Sequence, residues 1–158
     1  MAETKPETKQ SSEYIKNFNE WFDSKKEIHT NKIRPDFAIG EVWYCSFGEN
    51  IGFEIDGKNK ENTIQKLFLR PVLVIQATSK YTFVGLPLTS KIEKYVGKVY
   101  AFITTIKDVP NAVLLGQVKT FDAKRLQFRM TKISDKKIQT IKEKFVDYIL
   151  GSNQKNNS

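Results

Sequence analysis

The side chains able to do chemistry are few. The chain holds one histidine, His29, and one cysteine, Cys45. One imidazole cannot make the histidine pairs of the common zinc hydrolases, and no H-E-x-x-H, C-x-x-C or EF-hand spacing supplies other ligands, so neither a catalytic metal nor another cofactor is expected. His29 stands at the end of a helical pattern, where a solvated role or one beside the helix dipole takes precedence over catalysis. Cys45 falls inside a strand pattern and reads as a small buried hydrophobe; a single unpaired thiol suits a reducing, cytoplasmic compartment. Phosphate-cradling loops of the G-x-x-x-x-G-K-[ST] or G-x-G-x-x-G type are missing, and Gly48 with Gly52 reads as a loop between strands. What remains is charge. The 26 Lys and Arg outnumber the 18 Asp and Glu to give a net charge of +8, which makes polyanions, and nucleic acid first among them, the leading class of partner. Arg70, heading an apolar run, reads by itself as a structural arginine paired with a carboxylate.

The elements that must position such groups follow from periodicity. Residues 1–11 and 151–158 are polar and read as disordered tails. Across residues 12–30, Tyr14, Ile15, Phe18, Trp21, Phe22 and Ile28 recur at helical spacing, predicting an amphipathic N-terminal helix with Ser11 or Ser12 as its cap. Beyond Pro35 the rhythm shortens. Glu41 to Phe47, Leu67 to Ala77, Tyr81 to Leu86, Val99 to Ile106 and Ala112 to Leu115 are rich in Val, Ile, Tyr and Phe, as strands are. The continuous run Pro71 to Ile75 predicts a strand buried on both faces, and the more mixed Lys98 to Ile106 an edge. Ile138, Ile141, Phe145, Tyr148 and Ile149 then mark a last helix, begun at Ser134 and ended at Gly151. Short strands with flanking helices predict a mainly β (α+β) domain, a small barrel over residues 38–150. No apolar run approaches the roughly 20 residues that cross a bilayer, so no membrane association is expected.

Five blocks in this region resemble the MazF/PemK toxins in order: Gly40-Glu41-Val42-Trp43-Tyr44; Ile51-Gly52-Phe53-Glu54; Leu69-Arg70-Pro71-Val72-Leu73-Val74-Ile75; Leu86-Pro87-Leu88-Thr89-Ser90; and Gly116-Gln117-Val118-Lys119-Thr120-Phe121-Asp122 with Arg125-Leu126. The resemblance implies an SH3-like barrel, a homodimer, a metal-independent endoribonuclease acting on single-stranded RNA, and a MazE-like acidic antitoxin. It departs from the family at three places. Lys58 to Phe68 is a longer, charged connection, Gly116 stands where relatives carry Ser or Asp, and Lys119 replaces a common Arg. The N-terminal helix lies outside the resemblance altogether.

The family's reaction, carried over to the matching positions, is attack by the RNA's own 2′-hydroxyl on the adjacent phosphorus, leaving a cyclic phosphate and a 5′-hydroxyl. Arg70 suits stabilisation of the phosphate's growing charge, because its planar guanidinium offers parallel donors, while its high pKa makes it a poor base. Thr89 adds a hydroxyl donor, with Ser90 beside it. Glu54 is read three ways: proton acceptor for the 2′-hydroxyl, reader of base edges, or solvated loop carboxylate. Phe53, Lys58, Lys91 and Gln117 complete the candidate RNA contacts through stacking, charge and polar groups. Asp122 and Arg125 are expected to pair in a turn. Two alternatives share the fold: a catalytically silent RNA-binding module and a topoisomerase-inhibiting toxin.

Overall fold

The computed structural model describes residues 15–60, 64 and 66–152. Helix α1 spans Phe18–Thr30. Strands β1 (Glu41–Ser46), β2 (Leu69–Ala77), β3 (Thr82–Thr89), β4 (Phe102–Ile106), β5 (Val109–Val113), β6 (Lys119–Asp122) and β7 (Leu126–Lys132) follow, and α2 (Asp135–Leu150) closes the order. The strands make one antiparallel sheet ordered β4-β5-β3-β2-β1-β7, with β6 added against β3. β3 serves two partners besides β2: Thr82 to Gly85 pair with β6, and Leu88 and Thr89 with β5. This fork curls the sheet into the half-barrel of an SH3-like architecture.

β2 shows why its sequence is uninterruptedly apolar. Val72 and Val74 point into a core with Cys45, Phe47, Phe83, Phe121 and Leu126. Leu73 and Ile75 point the other way, into a core with Val42, Leu86, Ile106, Ile138 and Ile141. Alternate residues therefore feed two cores, and a strand wet on one face would lose one of them. α2 supplies the second core, capped by the Ser134 side chain at its start and by Gly151 in the left-handed region, φ 70°, at its end. The expected edge is also present, since β4 lies at one end of the sheet.

Several expectations are corrected. The N-terminal helix begins at Phe18, not Ser12, and the Asn17 side chain caps it by accepting from the Glu20 N–H. Ser11, Ser12 and Tyr14 lie outside the described residues, as do residues 1–11 of the expected first tail and 153–158 of the second. Gly151 and Ser152 belong to the terminal turn of α2, where their N–H groups bond to Tyr148 and Asp147 carbonyls. Among the described residues of the aromatic stripe only Trp21 is buried; Phe18 and Phe22 are about half exposed. β7 has no counterpart among the expected strands. Its alternation of Leu126, Phe128 and Met130 is the period-2 signal, weak because polar residues separate only three apolar ones; the strand carries register shifts against β1, and Phe128 is half exposed. Asp122 does not pair with Arg125: it accepts two bonds from Arg34 and one from the Lys124 N–H. Arg125 donates to the Ser46 and Phe47 carbonyls and lies over the Trp21 ring. Cys45 meets its expectation: it is fully buried, and burial pushes its thiol up to about 12.

Candidate active site

Arg70 and Thr89 reach one place because β2 and β3 are neighbours and Arg70 begins one strand as Thr89 ends the other. Arg70 is 9% exposed, and its buried charge needs partners. It finds two carbonyls: Nε donates to Asp56 at 2.5 Å and Nη1 to Leu88 at 3.2 Å. Neutral acceptors fix the plane of the guanidinium without cancelling its charge, and Nη2 has no acceptor among the described residues. Burial lowers the Arg70 pKa, partly offset by Tyr95 and Asp56, yet a guanidinium remains charged throughout the working range.

Around this group lies a cavity of about 850 Å³ lined by Phe53, Glu54, Lys58, Arg70, Thr89, Lys91 and Gln117, with Lys94, Tyr95 and Tyr100. An adjoining hollow of about 590 Å³ shares Arg70, Thr89, Lys58 and Lys91 and adds Ser90, Asn111 and Tyr44. Seven of the eight residues singled out from sequence thus border one cavity and the eighth, Ser90, borders its neighbour. Lys94 and Tyr95, just past the Thr-Ser segment, were not singled out. A cluster of Lys91 and Lys94 around a tyrosine was the available clue.

The positive charge is concentrated. Burial first, and then Lys91, Arg70 and Lys94 in turn, lower the Lys58 pKa. Four like charges held together outnumber the Glu54 and Asp56 carboxylates on the same wall and favour an anion between them. The sign follows: Lys58 surrenders its proton at lower pH than an ordinary lysine, so affinity for a polyanion should fall as pH rises through its depressed value. Lys58→Arg, which stays charged, should remove that fall. Affinity titrations of both proteins between neutral and alkaline pH read this, and identical profiles would refute it.

The loop between β1 and β2 supplies the rest. Phe53 is fully exposed, a free face for a base. Glu54 is exposed, and one carboxylate oxygen accepts from the Ile51 N–H at 2.8 Å. Gln117 is tied to the same loop: its carbonyl oxygen accepts from the Ile55 N–H at 3.2 Å and its amide donates to the Phe53 carbonyl at 3.4 Å. These bonds make Gln117 a brace for the loop. Thr89 Oγ1 accepts from the Lys91 N–H at 3.2 Å, which leaves its hydroxyl proton to donate. The departures from the family also find physical settings. A side chain at Gly116 would come within 3.2 Å of both Tyr100 and Tyr148. Lys119 donates to Asn50 Oδ1 at 3.4 Å and lies 5.0 Å over the Phe47 ring, where burial lowers its pKa.

Fold and site together define a small curled β-sheet protein with a cationic, arginine-centred cavity of the kind that attracts anions. Residues 38–149 match the family model described as the PemK-like, MazF-like toxin of type II toxin–antitoxin systems, and the chain belongs to that family. No individual curated protein matches it. Membership makes the chain a toxin-type protein whose family is paired with antitoxins. Among the described residues no helix is long and apolar enough to cross a membrane.

Proposed function

We propose that this protein is an endoribonuclease toxin that cuts single-stranded RNA through the substrate's own 2′-hydroxyl. The observation that carries the reading is Arg70: a buried guanidinium held in plane by two carbonyls, its Nη2 without an acceptor among the described residues, on a cavity ringed by lysines. In the reaction the 2′-oxygen forms a bond to phosphorus as the bond from phosphorus to the 5′-oxygen breaks. One proton leaves the 2′-oxygen and one arrives on the 5′-oxygen, giving a 2′,3′-cyclic phosphate and a 5′-hydroxyl. Arg70 and Thr89 donate to the non-bridging oxygens, whose charge grows in the transition state. Glu54, one of two carboxylates on the cavity wall, accepts the 2′-proton on this reading. Phe53 stacks a base, while Lys58, Ser90 and Lys91 hold flanking phosphates. The +8 charge attracts RNA and equally an acidic antitoxin segment competing for the same cavity. The protein acts in the cytoplasm as a homodimer on this reading.

The deciding experiment incubates the purified protein with a long mixed-sequence RNA and the matching DNA in EDTA and maps the fragment ends. Cleavage of RNA alone, with cyclic phosphate ends, supports the reading. Salt-sensitive RNA binding without product would replace it with the silent binding module. Binding should weaken with salt by about 0.7 log units in affinity per log unit of salt for each phosphate held. Lys91→Ala should therefore reduce the magnitude of that slope by about 0.7, and an unchanged slope would remove Lys91 from the RNA path.

A further inference from the structure

The N-terminal extension lies outside the family match, yet it grips the loop that carries Phe53 and Glu54. Lys16 Nζ donates to the Asn50 carbonyl, to the Gly52 carbonyl at 3.2 Å and to Asp56 Oδ1 at 3.3 Å, and it lies 3.1 Å from Asp56 Oδ2. Both partners of this ion pair are only about one-fifth exposed, 20% and 21%, so solvent screens it less than a surface pair. Asp56 is a junction. Its carboxylate also accepts from the Asn50 N–H at 2.6 Å, and its own carbonyl is the acceptor for Arg70 Nε.

Two further contacts bind the extension to both ends of the β1–β2 connection. Trp21 packs edge-on against Phe68, and its ring fills the space above Gly48, where an added Cβ would lie 2.3 Å from it. Ser24 Oγ donates to the Lys66 carbonyl at 2.7 Å. The extension thus spans the connection from Gly48 to Phe68 while its lysine reaches into the middle.

We propose that Lys16 is a positioning residue of the cavity: through Asp56 it fixes the Asn50–Gly57 loop, and with it the plane of Arg70 and the placement of Phe53. The catalytic consequence rests on the ribonuclease reading; the mechanical one does not. A small displacement of the group that meets the transition state costs rate far more than binding, so Lys16 should act on kcat rather than KM.

The test compares wild type with Lys16→Met, Lys16→Arg, Asp56→Asn and the Met/Asn double variant in hydrogen exchange and in RNA cleavage. In Lys16→Met, exchange of the Asn50–Gly57 amides should rise about tenfold, with β2 and α2 unchanged, and kcat should fall roughly tenfold at nearly constant KM. Lys16→Arg should recover most of both. The double variant should be no worse than Lys16→Met, because one linkage has been cut twice. Loop exchange in Lys16→Met within about twofold of wild type overturns the clamp. Additive losses in the double variant overturn the route through Asp56. If wild type itself cleaves no RNA, the ribonuclease reading fails, and the exchange measurement alone still decides the clamp.

Discussion

Arg70→Ala should lower the rate of RNA cleavage by about 10²–10³-fold, the usual cost of deleting one donor aimed at developing charge. The loss should fall mainly on kcat, since the lysines at the cavity rim still bind the substrate. The same change strips the Asp56 and Leu88 carbonyls of their donors. An unsatisfied buried acceptor costs about 1–3 kcal/mol, so a folded protein with a lowered melting temperature is expected. Arg70→Lys separates the effects. It keeps a positive charge but cannot hold both carbonyls while presenting parallel donors, so it should recover binding more than rate. Single-turnover cleavage with a parallel thermal melt makes the comparison. Equal rates for wild type and Arg70→Ala would dismiss Arg70 from the chemistry.

Gly57→Ala should be the most damaging single methyl in the loop. A Cβ there would lie 1.8 Å from the Phe68 carbonyl oxygen and 2.4 Å from its carbon. Both are backbone atoms, so no side-chain rotation relieves the overlap. Phe68 is itself constrained, with φ 49° and a carbonyl that accepts from both Phe47 and Gly48 N–H groups. The strands must separate, breaking the paired bonds between Lys58 and Leu69. Overpacking of this kind costs about 3 kcal/mol at the upper end of its common range. Urea denaturation reads the loss directly, and wild-type stability in the variant would mean that the close approach is not maintained in solution.

How far the chain could be read without coordinates depended on whether the information was local. Pro71 to Ile75 announces a doubly buried strand because both faces must be apolar, and Ser134 and Gly151 announce helix ends because their own side chain or backbone does the capping. The cavity was legible mainly through the ordered blocks shared with the family. Arg70 alone suggested a carboxylate partner, whereas its partners are the carbonyls of Asp56 and Leu88, residues 14 and 18 positions away. No pattern of side chains encodes a bond to a distant carbonyl. For the same reason the bonds from Gln117 to the loop at Phe53 and Ile55 have no sequence signal, and Asp122 is expected to face Arg125 when Arg34, 88 positions away, takes it. The start of α1 was misplaced because Tyr14 and Ile15 continue the apolar period. Ile15 is 88% exposed, so hydrophobic spacing ran past the point where packing ends.

The paired bonds between Lys58 and Leu69, with Asn59 Oδ1 accepting from the Phe68 N–H at 2.7 Å, close the stem of the long connection just ahead of Arg70. What lies beyond a closed stem can be exchanged cheaply: doubling a flexible loop adds only about 0.6 kcal/mol of closure cost. The sequence following Asn59 is in that sense a graft point, so long as the Lys66 carbonyl that accepts from Ser24 is kept. Segments of other length or composition could be inserted there to retarget the protein while β2, the two cores and the arginine stay as they are.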